Sequence, residues 1–158
     1  MASYFLEIYT QNQNYITLTE EFRNNIVPNI IDNKSVLSAH LYTPCHDQEL
    51  VQSDQNPPCI TLQFDCKTLA KIENTLQVIS EKKWFVLPAG YSVTHQVFKK
   101  IEYPLFGESS PQKRYAKISY AVRYSRPISD EKKFVEFYLT HHPQILANMP
   151  AIRNVLCY

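Results

Sequence analysis

Glycine is nearly absent from this chain: two residues in 158, Gly90 and Gly107. Without a glycine-rich loop there is no backbone cradle for a phosphate, which argues against phosphate chemistry. Cysteine is scarce too, at four residues (Cys45, Cys59, Cys66 and Cys157) with no CxxC pair. Neither a disulfide framework nor a redox pair is indicated, and reduced thiols are expected. Cys45-His46 with Cys59 lacks the second close-spaced pair that a zinc site needs, so no metal and no cofactor are expected. An excess of one charge is also missing, because 16 basic side chains meet 15 acidic ones for a formal net charge of +1. That balance leaves no footprint for nucleic acid or an anionic membrane; Lys82-Lys83, Lys99-Lys100 and Lys113-Arg114 read as solvated surface. No apolar run reaches the ~20 residues of a membrane span. The first residues, Met-Ala-Ser-Tyr-Phe-Leu-Glu, carry no basic segment ahead of an apolar one, so a cytoplasmic protein is expected.

What remains is ordinary for a globular chain, 44% hydrophobic and 20% charged, with room for one sizeable core or two small ones. Ser3 to Thr10 alternates loosely and suits a strand. Thr17 to Ile31 reads as a helix carrying Phe22, Ile26, Ile30 and Ile31, which Pro28 should kink or shorten. Ser35 to Tyr42 alternates, with Leu37, Ala39 and Leu41 facing the helices and Val36, Ser38, His40 and Tyr42 facing away. After a polar loop from Pro44 to Pro58, Cys59 to Cys66 alternates again, setting Ile60, Leu62 and Phe64 against Thr61 and Gln63. The two runs form a hairpin with one matched apolar face. Leu69, Ile72, Leu76 and Ile79 recur at helical steps between Thr68 and Lys83. Val86 to Lys99 follows as a strand, with Pro88 and Gly90 at its start and Tyr91, Val93, His95 and Val97 on one side. The order strand, helix, strand, strand, helix, strand is that of a ferredoxin-like α+β unit, with both helices on one face of an antiparallel sheet.

Glu102 to Gln112 is a connector by composition. Lys117 to Tyr124 alternates as a strand, a helix capped by Ser129 or Asp130 follows, and Ile152 to Tyr158 reads as a last strand. Phe22-x5-Pro28 matches Phe137-x5-Pro143 at an offset of 115, and Ile31 and Asn33 align with Leu146 and Asn148. The expected organisation is a ferredoxin-like unit over 1–103, a connector over 104–114, and an incomplete second copy (βαβ) over 115–158. Either the second copy is half-sized or the chain is part of a longer protein.

In the last helix Phe134, Tyr138 and His142 fall on one stripe, widened by Phe137, Ile145 and Leu146. From spacing alone, His142 is a packed or capping histidine near a helix end. Phe134-x3-Tyr138-x3-His142, followed by Pro150-Ala-Ile-Arg153, also resembles the signature of the EthD-like branch of the dimeric α/β-barrel superfamily, which reads F-x3-[YW]-x3-H, then L-P-G-[LI]-R. Met149 and Ala151 depart from the usual Leu and Gly. The resemblance implies a dimeric α/β-barrel in which a second sheet, from another chain or a tandem copy, covers the helix-free face and encloses a pocket for a small apolar or aromatic molecule. It implies a cofactor-independent isomerase, cyclase, lyase or oxygenase. His142, then His141, would serve as acid or base, and His40, Tyr42, Thr61, Gln63 and Tyr138 would line the pocket; His95 is a weaker candidate. A homodimer is expected, since edges and an open sheet face need a partner. The alternatives are a non-catalytic ligand-binding or structural barrel and a haem-binding relative with histidine ligation.

Overall fold

The computed structural model describes residues 1–11, 15–44, 56–83, 86–103, 128–149 and 155–157. Its described residues fall into two compact units, Met1–Lys99 and Lys100–Tyr158.

In the first unit the strands are β1 (Ala2–Thr10), β2 (Val36–Tyr42), β3 (Ile60–Cys66) and β4 (Tyr91–Lys99). They form one sheet in the order β2-β3-β1-β4, and every pairing is antiparallel. The helices are α1 (Ile16–Glu21), a π segment (Phe22–Ile26), α2 (Val27–Ile31) and α3 (Leu69–Glu81). This is the ferredoxin-like plan that the alternation predicts.

The core lies between the sheet and these helices. Phe22, Ile26 and Ile30, four residues apart, are fully buried with Ile72 of α3 against Tyr4, Leu6, Ile8, Ile60, Leu62 and Phe64 of the sheet. A side chain of that size contributes about 1.5–3 kcal/mol on burial, so this cluster holds the unit together. Proline 28 acts as the sequence predicts, but through a π turn. The π segment ends one residue before α2, whose second residue is Pro28. There the missing N–H and the ring disturb the regular i→i−4 ladder.

Three expected core positions move. Leu37 is exposed and Val36 packs on the core instead. The cause is a bulge, since the register shifts between Val36 and Ser38, and one extra residue reverses the facing of what precedes it. Leu69 and Ile31 are also exposed, while Thr75 is buried and donates its hydroxyl to the Lys71 carbonyl at 2.8 Å. A threonine can take an interior helix position when its hydroxyl is satisfied by the turn below.

The second unit contains β5 (Ile101–Tyr103), α4 (Glu131–Ala147) and β6 (Val155–Cys157). β5 and β6 pair antiparallel. Asp130 caps α4, its carboxylate accepting the Lys133 N–H at 3.1 Å. The helix does not end near His142 but continues through Pro143 to Ala147. Proline there gives no N–H to the Leu139 carbonyl; the Tyr103 hydroxyl donates to it instead, at 3.1 Å. The expected strand over Lys117 to Tyr124 and the Pro-Ala-Ile-Arg segment lie outside the described residues.

Candidate functional site

Strand alternation divides the first unit's side chains cleanly. Opposite the helices, β1 presents Ser3, Phe5, Glu7 and Tyr9, β2 presents Ser38, His40 and Tyr42, and β3 presents Thr61, Gln63 and Asp65. Ser3, Glu7, Gln63 and Asp65 are all buried, Asp65 to 1% exposure. A carboxylate that deep needs hydrogen bonds to offset its lost hydration.

Asp65 has them. Ser3 Oγ donates to Oδ1 at 2.5 Å, Gln63 Nε2 donates to Oδ1 at 3.1 Å, and Ser38 Oγ donates to Oδ2 at 2.9 Å. The Tyr42 hydroxyl donates to Gln63 Oε1 at 3.0 Å, which orients that amide. Donation therefore runs in one direction, from Tyr42 through Gln63 to the carboxylate, an arrangement in which each bond polarises the next. His40 stacks on Tyr42, with ring centroids 6.1 Å apart. Glu7 forms a second centre, accepting from the Tyr9 hydroxyl at 3.0 Å. The pairings Glu7–Thr61 and Ser3–Asp65 set the two carboxylates four residues apart along the strands, roughly 13 Å, so they cannot share a proton. Beside the polar tract, Phe5 and Phe98 meet edge to face at 5.6 Å. The face therefore combines an aromatic half with a hydrogen-bonding half.

His40, Tyr42, Thr61 and Gln63, four of the sequence-predicted residues, share this face. The sequence reading overlooked Asp65, Ser3 and Glu7, although Asp65 follows Thr61 and Gln63 in the same alternation and Ser3 and Glu7 alternate in β1.

The other three predicted residues lie on α4. Phe134, Tyr138 and His142 form a ladder of stacked rings, 5.8 Å and 4.7 Å between successive centroids, as the four-residue spacing predicts. The stripe is half-buried rather than core. Pro143 and Ala147 are the buried residues, while Phe137 and Ile145, expected to widen it, are exposed. Exposed His141 stacks on Phe137 at 4.5 Å, its Nδ1 3.0 Å from the Phe137 carbonyl oxygen. His95 lies on the helix side of the sheet, since it pairs with Leu6. Among the described residues no group of three or more His, Cys, Asp and Glu could hold a metal ion, and no helix is long and apolar enough to cross a membrane.

Fold and face together define a ferredoxin-like α+β protein with a buried polar network on the sheet surface opposite its helices. No protein-family model matches the sequence, and no curated protein matches it significantly. Among solved structures it is similar to an ethyl tert-butyl ether d (EthD) family protein from Bacillus halodurans C-125. The TM-score is 0.43 with 6% identity, over 61% of this chain and 97% of that one. At that overlap the likeness assigns neither family nor activity.

Proposed function

We propose that this chain binds a small aromatic or lactone-like molecule on the helix-free sheet face, as its sequence resemblance to EthD-like α/β-barrel proteins implies. The observation that carries the reading is the one-directional set of donors converging on buried Asp65 beside the Phe5–Phe98 pair. Apolar area with a few fixed polar groups is the usual make-up of a small-molecule site. Tyr42, Gln63, His40 and Thr61 orient the ligand's oxygen atoms, and the sheet of a partner copy covers them. On the finer reading, His142 acts as general acid or base, with His141 second and Tyr138 holding the ring. That assignment rests on the Phe134-x3-Tyr138-x3-His142 resemblance.

One observation favours a binding or structural role without turnover. Both α4 histidines are engaged locally, His142 on the Tyr138 ring and His141 on Phe137. The test is a ligand-observed NMR screen of small aromatic phenols and lactones against the wild-type chain, Tyr42→Phe and His142→Asn. Binding weakened several-fold by Tyr42→Phe supports the sheet face. Turnover or binding lost in a normally folded His142→Asn variant supports the acid–base role. An affinity that neither substitution alters sinks the proposal.

A further inference from the structure

The first unit holds a concave feature on the helix side of the sheet, opposite the network around Asp65. Tyr4, Leu76, Ile79, Ser80, Lys83, Val86 and His95 enclose a cleft of about 390 Å³. Its floor is the Tyr4 ring, packed on Phe64 at 4.8 Å, and its wall is the last turns of α3. We propose that this cleft is a binding site for a small apolar monocarboxylate, such as an aryl carboxylate. The apolar body would lie on Tyr4, Leu76, Ile79 and Val86, and the carboxylate would face Lys83, Ser80 and His95.

Three observations support that ligand class. First, among the described residues no acidic side chain lines the cleft, whereas Lys83 supplies an ammonium group and Ser80 a hydroxyl. The lining offers donors to an acceptor-rich ligand.

Second, Tyr4 holds the His95 ring at the cleft. Its hydroxyl and His95 Nδ1 are 2.5 Å apart, a diagonal pair across β1 and β4. Burial pushes the Tyr4 phenol up to about 12, so it keeps its proton at neutral pH and stays a neutral hydrogen-bond partner of Nδ1. With Nδ1 engaged by the phenol, Nε2 is the ring nitrogen that a ligand would meet.

Third, Lys83 occupies a place that a helix normally gives to glycine. It follows the C-cap of α3 with φ of 48°, a left-handed conformation that is strained for any residue with a side chain. A cation is present at the cleft where the backbone alone would favour no side chain. Val86, 80% exposed, and the half-exposed Val93 and Val97 extend apolar surface nearby.

The test is equilibrium titration of the full chain with 2-naphthoate, and with neutral 2-naphthamide as control, followed by ligand fluorescence and by the His95 ring signals in NMR. Lys83→Gly is the informative variant, because glycine relieves the backbone and should not lower Tm. We expect saturable naphthoate binding that weakens about fivefold in Lys83→Gly, with naphthamide nearly unaffected by the substitution. Val86→Glu, at an exposed site, should weaken naphthoate by a similar factor through like-charge repulsion, and Tyr42→Phe on the opposite face should leave it unchanged. Lack of saturation below 1 mM, or equal affinity in wild type, Lys83→Gly and Val86→Glu, overturns the proposal. Because the Tyr42 variant reads the other face, either site can fail without the other.

Discussion

The clearest quantitative test of this fold is in the second unit, where Tyr103 and Pro143 meet at one carbonyl. Pro143 leaves Leu139 C=O without its helical donor, and the Tyr103 hydroxyl takes that role at 3.1 Å. Tyr103→Phe removes the donor and keeps the ring. The bond is part-buried, so the cost should be at the low end of that for stranding a buried acceptor, about 1–2 kcal/mol. Pro143→Ala restores a backbone N–H at the right place. In the Pro143→Ala background, Tyr103→Phe should therefore cost less than about 0.5 kcal/mol, a coupling of roughly 1 kcal/mol in a double-mutant cycle. Urea unfolding followed by circular dichroism gives the four free energies. Tyr103 also interacts with the Cys157 thiol, and burial raises the pKa of both groups. Cys157→Ala, run alongside, separates that contact, which should show no coupling to Pro143. A cycle that closes within 0.3 kcal/mol would refute the claim that the tyrosine replaces the missing helical donor.

Other expectations follow from the first unit. Asp65→Asn places an amide against the Gln63 N–H it now accepts from and should cost about 2 kcal/mol in thermal or urea unfolding; an unchanged Tm would mean that the network contributes no net stability. Alkaline pH should destabilise the unit through Tyr4, whose phenol burial holds at about 12 against an ordinary 10.0. Below pH 10 both states keep the proton and the contribution is fully present, while between pH 10 and 12 the unfolded chain ionises first and up to on the order of 2 kcal/mol is lost. Tyr4→Phe should flatten that part of the pH dependence, and an identical profile in the variant would argue that Tyr4 does not report burial.

The sequence made the fold legible wherever a single period dominated. Ile60, Leu62 and Phe64 against Thr61 and Gln63 fixed β3 and its facing, and from it the hairpin with β2. What stayed hidden depended on one-residue events or on chemistry that periodicity does not encode. The β2 bulge exchanges Val36 for Leu37, and no residue in Ser-Val-Leu-Ser announces it. α4 runs through Pro143 because a tyrosine forty residues earlier satisfies the freed carbonyl, a relation that helix-stop rules cannot contain. In the candidate site, alternation placed His40, Tyr42, Thr61 and Gln63 together. Asp65 was overlooked because an aspartate at a strand end reads as solvent-facing, and its burial depends on Ser3, sixty-two residues away.

The two faces of the sheet show why the polar one is the better place to look for function. On the helix side, packing against Phe22, Ile26, Ile30 and Ile72 requires only volume and hydrophobicity, and many aliphatic combinations would serve about equally well. On the other side, Ser3, Ser38, Gln63 and Tyr42 must each point a specific atom at a specific acceptor. Valine or isoleucine at those positions would cover a sheet at lower desolvation cost. A chain selected only to bury that face would have little reason to keep three donors aimed at one carboxylate and a fourth at the Gln63 amide behind it, whereas a chain that must hold a ligand's oxygens in one orientation gains from groups whose directions are already set.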